Sequence, residues 1–248
     1  MSRNFELMQQ LEGNRSLLLP QPIGTTSNDP DPTSGDKRSV GWASNEILSI
    51  IHNIFLRQTQ GPPRMVVFAG VDHGDGCSRI SATVADYLAR SASRSVCLVE
   101  ANFRTPALPD VFGTTNHHGF TDSLLAEDPI RSYAKPVGSG KLWLLSSGAL
   151  AGDSANLLTS ERVKARLAEL RAEFDFVIID APPLSRYADA IAIGKLTDGL
   201  VLVLEAGSTR REAAQAVTAN LRSSEVPILG AILNKRTYPI PESIYKRL

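Results

Sequence analysis

Cysteine is nearly absent. Cys77 and Cys97 are the two in 248 residues, too few for a disulfide framework and suited to a reducing compartment. Neither sign of charge is in surplus: 26 basic residues stand against 26 acidic ones, so no global field would hold nucleic acid or an anionic membrane. Long apolar runs are missing as well. The longest, such as Val177 to Ile179 and Leu200 to Leu204, are far shorter than the roughly 20 residues of a membrane span. The opening MSRNFEL contains no apolar core of a secretory signal. These absences lead us to expect a cytoplasmic protein without a membrane anchor of its own. What is present, 42% hydrophobic residues spread over 248 positions, suffices for one α/β domain with an extension.

Residues 20–41, PQPIGTTSNDPDPTSGDKRSVG, are rich in Pro, Ser, Thr, Gly and Asp and show no apolar period. Such a segment cannot bury enough surface to offset its ordering entropy, so residues 1–41 read as a disordered extension. Over residues 44–58, Ile47, Ile50, Ile51, Ile54 and Phe55 recur at helical spacing, with Ser44 as the expected N-cap. From Arg64 onward, short apolar runs mark strands at Met65–Ala69, Val96–Glu100, Leu142–Leu145, Phe176–Asp180, Gly199–Leu204 and Ile228–Leu233. Helical patterns lie between them at Arg79–Ser93, Ser160–Glu173, Ala188–Leu196 and Arg210–Arg222. Strands that are apolar on both faces, alternating with helices, predict a doubly wound, mainly parallel sheet with right-handed crossovers over residues 42–235. Residues 236–248 form a tail containing Tyr238 and Tyr245.

The first strand runs into Gly70-Val71-Asp72-His73-Gly74-Asp75-Gly76-Cys77-Ser78-Arg79 and then a helix. Strand, glycine loop and helix is the context of a P-loop, where curled backbone N–H groups and a helix N-terminus hold phosphate. The strict pattern fails twice, at Val71 in place of the first glycine and at Cys77 in place of the lysine. Ser78 keeps the hydroxyl that would bind Mg²⁺. A glycine-rich turn that merely starts a helix would explain this segment equally well by itself. The strand ending at Asp180, followed by Ala181-Pro182-Pro183, argues against that: it puts a carboxylate at the carboxyl edge of the sheet, where open α/β folds bind ligands.

With these motifs in order, the sequence resembles the cytoplasmic tyrosine kinase domains of capsule and exopolysaccharide export, within the MinD/ParA-like P-loop group. Gly74-Asp75-Gly76-Cys77-Ser78 matches the family's Gly-x-Gly-Lys-Ser/Thr loop. Glu100-Ala101-Asn102-Phe103-Arg104 matches its Asp-x-Asp-x-Arg motif, and Ile179-Asp180-Ala181-Pro182-Pro183 its Walker B. Gly230 to Lys235 matches its last strand, whose asparagine, here Asn234, contacts adenine. The resemblance implies a fold of the P-loop NTPase type, with ATP and Mg²⁺ as cofactors if any nucleotide is bound; with the loop lysine gone, the expectation is weak ATP binding or none. Nucleotide would be held by Gly74, Asp75, Gly76, Cys77, Ser78, Arg79, Arg104 and Asn234. Metal would be held by Ser78, Glu100, Asn102 and Asp180, and Asp180 would be the catalytic carboxylate.

The departures from that pattern point away from catalysis. Cys77 offers a weak neutral donor where a charge-assisted bond worth about 1.5–3 kcal/mol is expected. At a helix N-terminus its thiol pKa could fall, but a small residue filling a vacated space is the preferred reading. Asn102 carries no carboxylate and Glu100 is a methylene too long for a strict Mg²⁺ geometry. Arg79 or Arg104 is the conceivable substitute cation. The family's ring-assembly motif, Glu-x-x-Arg-x-x-Arg, reads Glu46, Ser49, His52, and its C-terminal tyrosine cluster shrinks to Tyr238 and Tyr245. The expectation is therefore a catalytically impaired pseudokinase of exopolysaccharide biosynthesis or export. It would act on an inner-membrane chain-length or export protein, peripheral to that membrane, with homo-oligomerisation possible and no nucleic-acid partner. Its docking face is expected on Glu46–Phe55 with the rims Gly70–Arg79 and Phe103–Phe112; a charged residue at Phe55 or Phe112 would disturb docking if that side chain is exposed and would be a core lesion if it is buried. The alternatives are an active tyrosine autokinase with an atypical loop and, less favoured, a MinD/ParA-like positioning ATPase, whose signature lysine falls at Asp72. His117-His118 reads as a surface pair, not a metal site.

Overall fold

The computed structural model describes residues 44–56, 61–91, 94–138, 141–148 and 161–235. The N-terminal extension at 1–41 and the tail at 236–248, with Tyr238 and Tyr245, lie outside these described residues.

Helix α1 spans Ser44–Ile51 and widens into a π-helical turn, His52–Leu56. Ser44, expected ahead of the helix as its cap, is instead its first residue. Then come β1 Met65–Gly70, α2 Cys77–Ser91, β2 Val96–Glu100, α3 Leu108–Phe112 and α4 Phe120–Leu125. A 3₁₀ turn, Ile130–Tyr133, leads to β3 Lys135–Pro136 and β4 Leu142–Leu145. The chain continues as α5 Glu161–Glu173, β5 Phe176–Ala181, α6 Asp189–Gly194, β6 Gly199–Glu205, α7 Arg211–Ser223 and β7 Ile228–Asn234. The six expected strands form at the expected places, and α2 starts at Cys77, two residues before the expected Arg79.

The seven strands make one sheet in the order β3-β4-β2-β5-β1-β6-β7. Every pairing is parallel except β3 with β4. The short antiparallel β3 was not visible in the sequence. Alternate strand residues face opposite layers. Met65, Val67 and Ala69 pack with Val163, Leu167 and Leu170 of α5 and Val217 and Leu221 of α7. Val66 and Phe68 pack with the isoleucines of α1 and with Ile80, Val84 and Leu88 of α2. The sheet is thus covered on both faces, as its uniformly apolar strands require. Phe55 is fully buried and meets Phe176 edge-to-face, ring centroids 5.7 Å apart. Of the two cases set out for Phe55, burial is therefore the one that holds: its ring, like the apolar stripe of α1, belongs to the core. Phe112 is half-buried.

The central strands β5 and β1 end at the same edge, and the loops that follow are stitched together. Leu184 N donates to the Gly70 carbonyl and Ser185 N to the Val71 carbonyl, both at 3.0 Å. The site described next is built on this edge.

Candidate functional site

The loop between β1 and α2 curls because Gly74 and Gly76 take positive φ values of 95° and 83°. Asp75, between them, turns its side chain inward and is 3% exposed. Its carboxylate accepts from the Asp72 N–H at 2.8 Å and from Thr209 Oγ1 at 3.3 Å. Burial raises its pKa, and the Asp72 charge adds to that. The Asp75 side chain is therefore a staple of the loop, and its backbone is the part presented to a ligand. Asp72 Oδ1 in turn accepts from Ser185 Oγ at 2.7 Å, which ties the loop to the segment after β5.

Cys77, Ser78 and Arg79 form the first turn of α2, and all three line a cleft of about 410 Å³ with Gly74, Asp75 and Gly76. Asn102, Thr105 and Ala107 close the far side. The Cys77 residue is half-buried, but its thiol points to the interior. Burial, and then the nearby Asp180 charge, push the thiol well above its ordinary pKa. The helix N-terminus does not win, so Cys77 is a neutral thiol and not an activated one.

Asp180 has no exposed surface, and neither carboxylate oxygen has a hydrogen-bond partner. The Ser78, Cys77 and Ser81 side chains face it and oppose its pKa rise without closing a hydrogen bond. Burial prevails and lifts the carboxyl from 3.8 to about 6. Ser81 Oγ is used elsewhere, donating to the Ser78 carbonyl at 3.0 Å. Glu100 is paired in register with Asp180 across β2 and β5. Its Oε1 accepts from the Ala107 and Leu108 N–H groups at the start of α3, while Oε2 is buried and unpartnered. Burial raises Glu100 from 4.5 to about 7, with the Asp180 charge contributing.

Three orphaned carboxylate oxygens beside a phosphate-type loop are what a hard divalent cation would satisfy. Asp180 and the Ser78 hydroxyl fit such an ion. Two other expected ligands fit it poorly. Glu100 commits one oxygen to the backbone of α3. Asn102 turns to Thr105, accepting from its N–H at 3.3 Å and donating to its Oγ1 at 3.1 Å. Among the described residues, no group of three or more His, Cys, Asp or Glu side chains forms a metal cluster, and His117-His118 is an exposed pair.

Arg104 does not take the place of a loop lysine. Its guanidinium lies over the Tyr187 ring at 4.1 Å and pairs with Asp189 at 3.5 Å, away from the cleft-lining set. Arg79 does line the cleft. Asn234 reaches the loop, donating Nδ2 to the Asp75 carbonyl at 2.8 Å. Sequence reading did not single out Lys235, whose Nζ donates to the Gly74 carbonyl at 2.7 Å and pairs with Glu205 at 3.2 Å. The only signal was its place one residue beyond the matched asparagine. Among the described residues no helix is long and apolar enough to cross a membrane.

No protein-family model matches the chain. The chain is 30% identical over 191 residues to the tyrosine-protein kinase YwqD of Bacillus subtilis, covering 77% of this chain and 80% of YwqD. It is 25% identical over 170 residues to the tyrosine-protein kinase Etk of Escherichia coli, and that match spans 23% of Etk's length. The kinase domain of Etk superposes with a TM-score of 0.77 at 21% identity, covering 97% of this chain and 98% of that one. The septum site-determining protein MinD of Pyrococcus horikoshii, solved with Mg-ADP, superposes at 0.59 with 19% identity, over 74% of this chain and 76% of that one. At these identities the structural likeness shows the fold, a P-loop ATPase sheet.

Proposed function

The chain belongs to the family of bacterial tyrosine-protein kinases, and from that premise we propose that it is a member impaired in phosphoryl transfer, retained as a kinase-like component of exopolysaccharide biosynthesis or export. Its partner would be an inner-membrane chain-length or export protein, which would hold it peripherally at the cytoplasmic face. The observation that carries this reading is the neutral Cys77 thiol at the loop position of the family lysine, turned toward Asp180. Losing one preorganised donor to a transition state costs on the order of 10²–10³ in rate. Asn102, held by Thr105, adds no carboxylate to offset this.

A second reading, an active ATP-dependent autokinase with an atypical loop, has one observation in its favour. Asp180 keeps both oxygens unpartnered, as a Mg²⁺ ligand would. A Mg²⁺ ion held there would supply charge neutralisation at the phosphates. On this chain Ser78 and Asp180 would hold it, and the loop backbone would hold the phosphates.

Complementation of a deletion strain separates the readings. Asp180→Asn, verified as folded by circular dichroism, is expected to sustain polysaccharide output near the wild-type level, and the purified wild type is expected to give no phosphotyrosine with ATP and Mg²⁺. Loss of polysaccharide with a folded Asp180→Asn protein would favour the autokinase.

A further inference from the structure

The loop lacks its own lysine, yet an ammonium group touches it from behind. Lys235 follows β7 in a left-handed conformation, φ 53°. Its Nζ donates to the Gly74 carbonyl at 2.7 Å, and its counter-ion is Glu205 Oε2 at 3.2 Å. The residue before it, Asn234, donates to the Asp75 carbonyl at 2.8 Å. Two consecutive peptide groups of the loop, Gly74–Asp75 and Asp75–Gly76, therefore have their carbonyls taken by donors from the end of β7.

Each of those carbonyls shares its peptide unit with the next N–H. Hydrogen bonding to the oxygen polarises the N–H of the same unit, and such chains strengthen cooperatively. The effect is larger when the donor is charged, because charge-assisted bonds are roughly twice as strong as neutral ones. The affected N–H groups are those of Asp75, which makes only a long 3.5 Å bond to the Asp72 carbonyl that an anion would have to displace, and of Gly76; both belong to the glycine-loop backbone whose donors cradle anions in this type of turn. The arrangement is close-packed: a Cβ on Gly76 would stand 2.4 Å from Asn234 Nδ2 and 3.9 Å from Lys235 Cε. The surrounding charge makes the ammonium matter. Asp72 lines the cleft and the buried Asp180 adjoins Cys77, while Arg79 is a cation on the cleft wall, so a further positive charge at the rear of the loop offsets the carboxylates near a bound phosphate. Asp180, fully buried with neither oxygen partnered, independently marks this edge as built for a ligand that brings a positive ion with it.

We propose that Lys235 supplies positive charge to this phosphate loop from its rear, complementing Arg79 on the cleft wall where position 77 has no lysine, and that the loop so equipped takes the diphosphate group of a nucleoside di- or triphosphate. This deepens the reading above and rests on it for the class of ligand. It requires binding only, not phosphoryl transfer. Lys235 is a positioning residue: it acts through the Gly74 peptide.

Calorimetry on the full chain tests this, with pyrophosphate, ATP and adenosine as probes and with wild type, Lys235→Met and Lys235→Arg. The wild type is expected to bind pyrophosphate and ATP. Lys235→Met is expected to weaken both by about 2- to 5-fold, because the polarisation of the loop N–H groups is a fraction of a hydrogen bond and not a whole one, and Lys235→Arg to restore most of the loss. Adenosine affinity is expected to be the same in all three, which a merely structural role would not produce. Glu205→Gln, which removes the counter-ion, is expected to raise pyrophosphate affinity, and it serves as the decisive variant if Lys235→Met does not fold. Equal pyrophosphate affinity in wild type and Lys235→Met, a parallel loss of adenosine binding, or a fall in Glu205→Gln overturns the proposal. So does a wild type that binds no pyrophosphate at millimolar concentration, and that result leaves the impaired-kinase reading intact. Phosphotyrosine formation by the wild type would do the reverse.

Discussion

Glu100 and Asp180 face each other in register on neighbouring parallel strands, and neither has any exposed surface. Both carboxyls are pushed upward by burial, to about 7 and about 6. The folded protein therefore holds more protons than the unfolded chain between about pH 4 and about pH 7, and its stability falls as pH rises through that window. Each group contributes on the order of 3 kcal/mol across it, since one pKa unit is about 1.4 kcal/mol. Thermal melts of the ligand-free protein are expected to give a higher Tm at about pH 5 than at about pH 8, with about 2–4 °C per kcal/mol. Asp180→Asn should raise the Tm at the higher pH and flatten the profile. A profile that is unchanged by Asp180→Asn would show that the carboxyl is not titrating in that range.

Cys77→Lys places an ammonium beside Asp180. That change is expected to return the Asp180 carboxyl toward its ordinary range, because an opposite charge at close range favours the ionised form. It is not expected to restore tyrosine phosphorylation. Asn102 still has no carboxylate and stays tied to Thr105, and Glu100 still spends one oxygen on the start of α3. Anti-phosphotyrosine blotting of the purified variant with ATP and Mg²⁺ reads the second claim, and a strong signal would mean that the lysine was the sole deficit.

The strands were legible because each is a nearly continuous apolar run buried on both faces, a pattern few other elements produce. Asp180 and the glycine loop were legible for a related reason, since they sit where such runs stop. The region from 104 to 141 was not. Its pieces α3, α4 and the Lys135–Pro136 strand are two to six residues long, and such lengths carry no period to read. The side-chain economy of the site was also hidden. Nothing in the spacing shows that Asp75 folds inward to Thr209, that Arg104 stacks on Tyr187, or that Lys235 returns to Gly74 across 161 residues. Those contacts depend on which strands become neighbours, a property of the whole sheet.

Phe55 and Val111 should separate core from surface. Phe55 is fully buried against Phe176, so Phe55→Ala is expected to cost about 3–5 kcal/mol. Val111 is 38% exposed on the rim of the cleft, and Val111→Asp is expected to stay within about 1 kcal/mol of wild type. Urea unfolding measures both. If docking to a membrane partner uses this rim, Val111→Asp is the interpretable probe and Phe55 variants are not. A mild Phe55→Ala would mean that α1 does not pack on the sheet as described.

The two glycines of the loop make the sharpest contrast. Gly74 and Gly76 both have positive φ, so alanine at either site pays a backbone cost of about 1–3 kcal/mol. Beyond that cost they differ. A Cβ at Gly74 would meet nothing within 4 Å, whereas one at Gly76 would lie 2.4 Å from Asn234 Nδ2. Alanine at position 76 must therefore displace the Asn234 amide and break its bond to the Asp75 carbonyl. A buried hydrogen bond is worth about 1 kcal/mol, so Gly76→Ala is expected to be less stable than Gly74→Ala by about that amount or more. The same logic fixes the coupling. Asn234→Ala should be costly in the wild type and nearly free in the Gly76→Ala background, because the bond it removes is already gone. Urea denaturation of the four proteins in that cycle measures the coupling directly. Additive losses would mean that Gly76 and Asn234 do not touch, and the rear support of the loop by β7 would fall with them.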